Sequence, residues 1–377
     1  MDISELLTFT KNSGASDLHL SSGCEPIIRL DGALKRIDAP PMTKDEVHEM
    51  IYDVLTDEQQ AIYQENLELD FAIELEGVAR FRVNCFNQYR GESAAFRVIP
   101  SEVQTLEDLG FPKIFGEMAL KPHGLVLVTG PTGSGKSTTL AAMVDLINRK
   151  REAHILTVED PIEFLHTSKK CLVHQREVHK HTHAFANALR SALREDPDVI
   201  LVGEMRDLET TQLAITAAET GHLVLATLHT NNAAKTMDRI IDIFPAEQQS
   251  QIRSMLSESI QGVIAQTLLP RIGGGRAAAF EVMVAVPAVR NLIREQKTFQ
   301  IPSIIQTQSQ QGMITMAHSL ERLVAQGIVS KEFLVDAVEM DGLQEKATEA
   351  VKRGKEGGRE SRDDFEQWRD KAASGGQ

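Results

Sequence analysis

The chain is poor in cysteine, carries no excess of positive charge and has no long apolar run. Cys24, Cys85 and Cys171 are the three cysteines in 377 residues, far apart and without a C-x-x-C pair. That excludes a disulfide framework and a zinc-ribbon arrangement, and the three are read as reduced cytosolic thiols. Acidic residues outnumber basic ones, 54 to 40, for a formal net charge of -14. This balance argues against a general nucleic-acid binder, though it leaves room for a local basic patch. The opening Met1-Asp2-Ile3-Ser4-Glu5 lacks a basic segment and a following apolar run, so no cleaved leader is expected. No apolar stretch approaches the length of a membrane span. The expectation is a cytoplasmic protein that reaches a membrane only through partners. There is no internal repeat. Hydrophobic residues make up 42% and charged residues 25%, ordinary for a globular protein, and the length suggests about two to three domains.

What is present is organised around Gly130-Pro131-Thr132-Gly133-Ser134-Gly135-Lys136-Ser137-Thr138, which fits G-x-x-x-x-G-K-[ST] without a mismatch. Leu125-Val126-Leu127-Val128 precedes it as a buried parallel strand would, and Thr139–Ile147 follows with an amphipathic helical pattern. The glycines let backbone N–H groups turn inward around a phosphate, and the helix N-terminus adds the positive end of its dipole. Lys136 has the reach to bind β- and γ-phosphates, and Ser137 has the hydroxyl that ligates Mg²⁺. ATP and Mg²⁺ are therefore the expected cofactors.

Before this motif, residues 1–99 read as a small α+β domain. Residues 3–12 predict a helix, Asp17–Leu20 and Ile27–Leu30 predict strands, and Asp31-Gly32 predicts a hairpin turn. Residues 43–64 predict a helix opened by a Thr43–Glu46 capping box. Asp70–Glu74, Ala79–Phe86 and Ser93–Ile99 are strand-like. Arg80, Arg82, Arg90 and Arg97 crowd the last two strands. They fit either a solvated sheet face or contacts to a phosphate held by another domain or subunit. Residues 100–120, punctuated by Pro100, Gly110, Pro112 and Gly116, read as a linker.

Beyond the phosphate loop, His154–Val158 predicts a strand that ends in Glu159-Asp160-Pro161. Carboxylates just past the end of a parallel strand face the ligand edge of the sheet. Glu159, Asp160 and Glu163 are thus candidates for water activation or metal contact. Ala184–Arg194 is helical. Val199–Val202 is an apolar strand running into Gly203-Glu204, the form of a Walker B strand with Gly203 where an aspartate is usual. Glu204 is then the candidate to orient or deprotonate the attacking water. A helix over about 207–220 leads to a strand bracketed by His222 and His229. His229, at the C-terminal end, is placed to bond a γ-phosphate or the water; His222 fits a structural role equally well. Ala277–Ala285 is a further strand, giving β-(P-loop)-α-β-α-β-α-β and an open parallel sheet. From residue 287 the chain is mostly helical. Pro287 sits in the first turn of an amphipathic helix whose apolar face is Val289, Leu292 and Ile293, and residues 316–340 give two short helices. The charged tail 341–377 is expected to be disordered or a frayed helix.

Four stretches together resemble the secretion and pilus ATPase superfamily. Ala15-Ser16-Asp17-Leu18-His19-Leu20 is similar to its N-terminal signature, and Thr157–Glu163 resembles its Asp box. Gly203-Glu204-Met205-Arg206-Asp207 resembles its Walker B segment, glycine included, and Thr220–Thr230 its His box. Within the superfamily, the pilus retraction ATPases are the better match. The N-terminal region is short, there is no tetracysteine zinc motif such as the extension and secretion ATPases usually carry, and Ala288–Glu295 resembles the retraction family's Ala-Ile-Arg-Asn-Leu-Ile-Arg-Glu with Val289 for Ile.

This resemblance implies a RecA-like P-loop ATPase domain (residues 121–340) behind a PAS-like N-terminal domain, assembled as a homohexamer. It implies ATP between the two domains, met by arginines of the N-terminal domain or a neighbour, a role carried here onto Arg82 and Arg97. It also implies that Glu163 polarises water or metal beside Glu204. The implied partners are an inner-membrane pilus platform protein and a retraction ATPase paralogue, with no direct nucleic acid. Rival readings are a pilus extension or type II secretion ATPase, a RecA-like DNA translocase and a non-hydrolysing regulatory paralogue.

Overall fold

The computed structural model describes residues 2–30, 33–99 and 103–334. Its N-terminal part contains α1 (Ile3–Asn12), β1 (Asp17–Ser21), β2 (Ile27–Leu30), β3 (Ala33–Arg36), α2 (Lys44–Tyr52), α3 (Asp57–Asn66), β4 (Glu68–Leu75), β5 (Ala79–Gln88) and β6 (Gly91–Ile99). The six strands form an antiparallel sheet in the order β3-β2-β1-β6-β5-β4. The predicted turn at Asp31-Gly32 lies outside the described residues, but Leu30 pairs with Ala33 across it.

Alternation along the strands builds the first core. Leu18 and Leu20 of β1, Phe81 and Val83 of β5 and Phe96 of β6 pack with Leu6 and Leu7 of α1 and Val47 and Ile51 of α2. Full burial of each such side chain contributes about 1.5–3 kcal/mol. The single helix expected over 43–64 is two. A second capping box starts α3: Thr56 Oγ1 accepts from the Gln59 amide, and Gln59 Oε1 accepts from the Thr56 amide. It satisfies the exposed amides of a new helix start and so separates α3 from α2.

The remainder comprises α4 (Lys113–Ala119), β7 (Gly124–Thr129), α5 (Lys136–Lys150), β8 (His154–Glu159), β9 (Leu172–Glu177), α6 (Phe185–Ala192), β10 (Val199–Val202), α7 (Leu208–Glu219), β11 (Leu223–Leu228), α8 (Ala233–Asp242), α9 (Ala246–Ser259), β12 (Ile260–Pro270), β13 (Arg276–Val284), α10 (Pro287–Arg294), α11 (Ile301–Thr307) and α12 (Met316–Ala325). The sheet order is β13-β12-β7-β11-β10-β8-β9, parallel except for β13.

Central β7 is buried on both faces. Leu125 and Leu127 enter the core under α7 to α10, and Val126 and Val128 the one under α4 and α5. Helix α4 falls in the stretch read as a linker, where Phe115, Met118 and Ala119 join the second of these cores. The parallel sheet expected from the sequence gains two strands and an antiparallel edge. The edge strand β9, Leu-Val-His-Gln-Arg-Glu, is half polar and carries no continuous apolar run. Strand β12 follows α9 without a turn, and Gln261 and Gln266 interrupt its apolar run. After β13, Arg290 of α10 donates to the Ser257 and Glu258 carbonyls at 2.7 and 2.6 Å, closing the C-terminus of α9. The tail 341–377, and residues 335–340 of the last predicted helix, lie outside the described residues. No helix among the described residues is long and apolar enough to cross a membrane.

Candidate functional site

All the strand ends singled out in the sequence meet at one edge of the parallel sheet. The phosphate loop joins β7 to α5, His229 follows β11, Glu204 follows β10 and Glu159–Glu163 follow β8. Because the order is β7-β11-β10-β8, these groups stand side by side, as ligands of open α/β sheets require.

The loop is built to leave space. A side chain at Gly130 would strike the Gln266 carbonyl, whereas one at Gly133 would meet nothing within 4 Å. Gly133 has φ +77° and Thr132 is exposed, so the concave loop opens outward. Ser134 Oγ is buried without a partner. Lys136 Nζ donates to the loop's own Gly130 and Pro131 carbonyls, at 2.8 and 2.9 Å. Burial lowers its pKa, with the charges of Glu204 and Glu163 opposing the shift. Ser137 lines a small cavity with Glu159, Gly203 and Thr227. An open anion cradle, a lysine and a hydroxyl beside carboxylates fit a nucleotide phosphate and a divalent cation.

Glu204 Oε1 lies 3.1 Å from His229 Nε2, and its Oε2 lies 2.7 Å from an Arg206 guanidinium nitrogen. Burial acts to raise the Glu204 pKa, but Arg206 and His229 outweigh it and hold the carboxyl below its ordinary value. Glu204 is thus an ionised carboxylate at neutral pH. Gly203 has a local reason: a Cβ there would press within 3.2 Å of the Glu159 Cα and the Val158 carbonyl oxygen. A side chain at that position would need adjacent β8 to give by a few tenths of an ångström. His222 lies at the opposite end of β11, and its Nδ1 is 3.0 Å from the Ala217 carbonyl oxygen, the structural alternative.

Glu159 differs from Glu163. Burial pushes the Glu159 carboxyl up to about 7, with hydrogen bonds from Thr157 and Gln175 opposing. Glu163 is exposed and acts electrostatically on both Lys136 and Arg82. A carboxyl whose pKa is higher folded than unfolded binds more protons when folded, so stability falls as pH rises from about 4.5 to about 7. Glu159→Gln should flatten that decline, worth on the order of 3 kcal/mol, in denaturant unfolding of the nucleotide-free protein across this range.

Strand register aligns the arginines of the small domain. Arg29, Asp17, Arg97 and Arg82 are successive cross-strand partners and share one sheet face. Arg97 is held by Asp17 at 2.9 Å. Arg82 makes two hydrogen bonds to Asp70, at 3.1 and 2.6 Å, and its charge also interacts with Glu163 and Asp160 across the domain boundary. Arg82 is therefore placed toward the carboxylate loop, and Arg97 is tied within its own domain.

Sequence reasoning missed Gln266. From β12 its Nε2 donates to the Ser134 carbonyl at 2.6 Å, and its Oε1 accepts from Thr139 Oγ1 at 2.7 Å. One buried amide thus ties the phosphate loop to α5. The available signal was a glutamine inside an otherwise apolar run. Gln266→Leu would remove the amide donor from the Ser134 carbonyl and leave Thr139 Oγ1 with its Gly135 contact alone, and should lower unfolding free energy by about 1–2 kcal/mol in denaturant titration and weaken nucleotide binding.

A model of the type II/IV secretion system protein family matches residues 2–274. The chain belongs to that family. Among its relatives, a protein of Pseudomonas aeruginosa named type IV pilus retractation ATPase PilT is 61% identical over 332 residues, covering 88% of this chain and 96% of its own. A twitching motility protein of Neisseria gonorrhoeae is 61% identical over 310 residues, 82% of this chain and 83% of its own. A crystal structure of the pilus retraction motor PilT with bound ADP superposes with a TM-score of 0.83 at 48% identity, covering 89% of this chain and 97% of that one. Family membership accounts for the mixed α/β fold.

Proposed function

We propose that this chain is a Mg-ATP-hydrolysing motor that powers type IV pilus retraction, working as a homohexameric ring. The observation that carries the reading is the meeting of Lys136 with the Glu204–His229 pair at the sheet edge, in a chain 61% identical to a retraction ATPase. The domain division belongs to the same reading, with a small domain over 1–99 and an ATPase domain over 121–340, each with its own apolar core.

Mg-ATP supplies the scissile phosphoanhydride and the divalent charge that screens it. Backbone amides of residues 130–138, with Lys136, hold the phosphates, and Ser137 contributes the hydroxyl ligand to Mg²⁺. Glu204, kept ionised, orients water and takes its proton; Glu163 supports it from the neighbouring loop. His229 bonds Glu204 and holds that carboxylate in one orientation. Arg82, and Arg97 once released from Asp17, bring positive charge from the small domain or a neighbouring subunit. Ordered closure and reopening of the domains then drives an inner-membrane platform protein, alongside a retraction ATPase paralogue. The protein acts in the cytoplasm and reaches the membrane through these partners.

The test is phosphate release by the purified chain with Mg-ATP, with and without DNA, beside pilus retraction in cells lacking their own retraction motor. DNA-independent turnover with restored retraction supports the reading. Turnover only with DNA points to a translocase, and turnover without retraction to an extension or secretion ATPase.

A further inference from the structure

The family motifs do not account for Glu177, at the end of β9. Its side chain is 3% exposed and gathers three donors. Arg80 of β5 reaches it across the domain boundary at 3.3 Å, the Ile162 amide donates at 3.1 Å and Lys180 Nζ lies 2.7 Å away. Its own amide donates to His181 Nδ1 at 2.9 Å, which secures the turn after β9. Ile162 immediately precedes Glu163, whose backbone acts to lower the pKa of the buried Glu159 carboxyl. A continuous chain of polar contacts therefore runs from the small domain, through Glu177, to the backbone that carries Glu163.

The register of β5 makes this specific. Arg80 and Arg82 alternate with core residues Phe81 and Val83 and so share one face. Arg82 acts on the Asp160–Glu163 segment through its charge, and Arg80 grips its anchor. A buried carboxylate gains from each further charged donor, and Glu177 has the Arg80 donor only while the small domain lies against the sheet.

We infer that Arg80 and Glu177 form a positioning pair that makes the placement of Glu163 depend on the small domain. Its kinetic consequence rests on the reading of Glu163 given above; its structural consequence does not. In Arg80→Ala, Lys180 and the Ile162 amide still satisfy Glu177, so no buried charge is orphaned.

The test uses the full chain. Hydrogen–deuterium exchange of the nucleotide-free protein should show residues 160–163 exchanging about fivefold to tenfold faster in Arg80→Ala, with β10 and β11 unchanged. Turnover should fall by about tenfold with nucleotide affinity within about twofold, and Arg80→Lys should recover part of both effects. In Glu177→Gln, Arg80→Ala should add little further loss, because the two residues act as one unit. Unchanged exchange at 160–163 overturns the pair, as do additive losses in the double variant; faster exchange with unchanged turnover keeps the contact and removes Glu163 from the chemistry. If the exchange responds while the unmodified protein itself shows no turnover, the ATPase reading fails and the contact stands.

Discussion

Lys136→Ala lowers phosphate release by at least about a hundredfold and weakens ATP binding, while thermal unfolding of the nucleotide-free protein stays within a few degrees. Catalysis of phosphoryl transfer rests on positive charge placed before the reaction begins, and losing one such donor costs about two to three orders of magnitude. Lys136 is the loop's half-buried cation, and its Nζ now rests on two carbonyls of its own loop. Those contacts are neutral and local, so little stability leaves with them, whereas phosphate recognition has no replacement. Single-turnover phosphate release and calorimetric ATP binding check both halves. Near-normal turnover would remove the loop from the chemistry.

Glu204→Gln separates binding from chemistry. Glutamine keeps the shape of the side chain but not the charge or the basicity, and general-base catalysis contributes about two to four orders of magnitude. Turnover should fall by that factor, while ADP should raise the melting temperature of the variant and of the unmodified protein by the same amount. The variant also loses the ionic partner of Arg206 and His229. Arg206 is largely exposed and His229 partly so, so neither is left as a buried unpaired group and the structural cost is small. Normal turnover in Glu204→Gln would transfer the base role to another carboxylate, Glu163 first. If Lys136→Ala abolishes binding and Glu204→Gln preserves it, the two ends of the site have the separate duties that their positions suggest.

Much of the chain was legible because its signals are local. Residues 130–138 carry their own turn chemistry, Thr43–Glu46 its own helix start, and β7, β8, β10 and β11 their own apolar runs ending in functional groups. A parallel strand buried on both faces needs such a run, and its C-terminal end must face the ligand edge. Lys136, Ser137, Glu204 and His229 could therefore be placed together from the order of motifs alone. The carboxylates after β8 could be assigned to the same edge but not told apart. Glu159 and Glu163 are neighbours in one motif, and only burial makes the first half-neutral near pH 7.

What the tertiary structure decided concerns groups whose meaning lies in a distant partner. Gln266 stands 127 residues from Thr139, Arg80 stands 97 from Glu177, and β12 is fixed as a strand by its pairing with β7 and β13. Arg82 and Arg97 look equivalent in sequence, and cross-strand register puts them side by side. Packing then gives one to Asp70 beside the carboxylate loop and the other to Asp17. Local pattern determined the elements and the residue types at the strand ends. Long-range burial and pairing determined which charges are neutralised, which loop is tied down and which domain touches which carboxylate, because those energies exist only once distant segments share a low-dielectric interior.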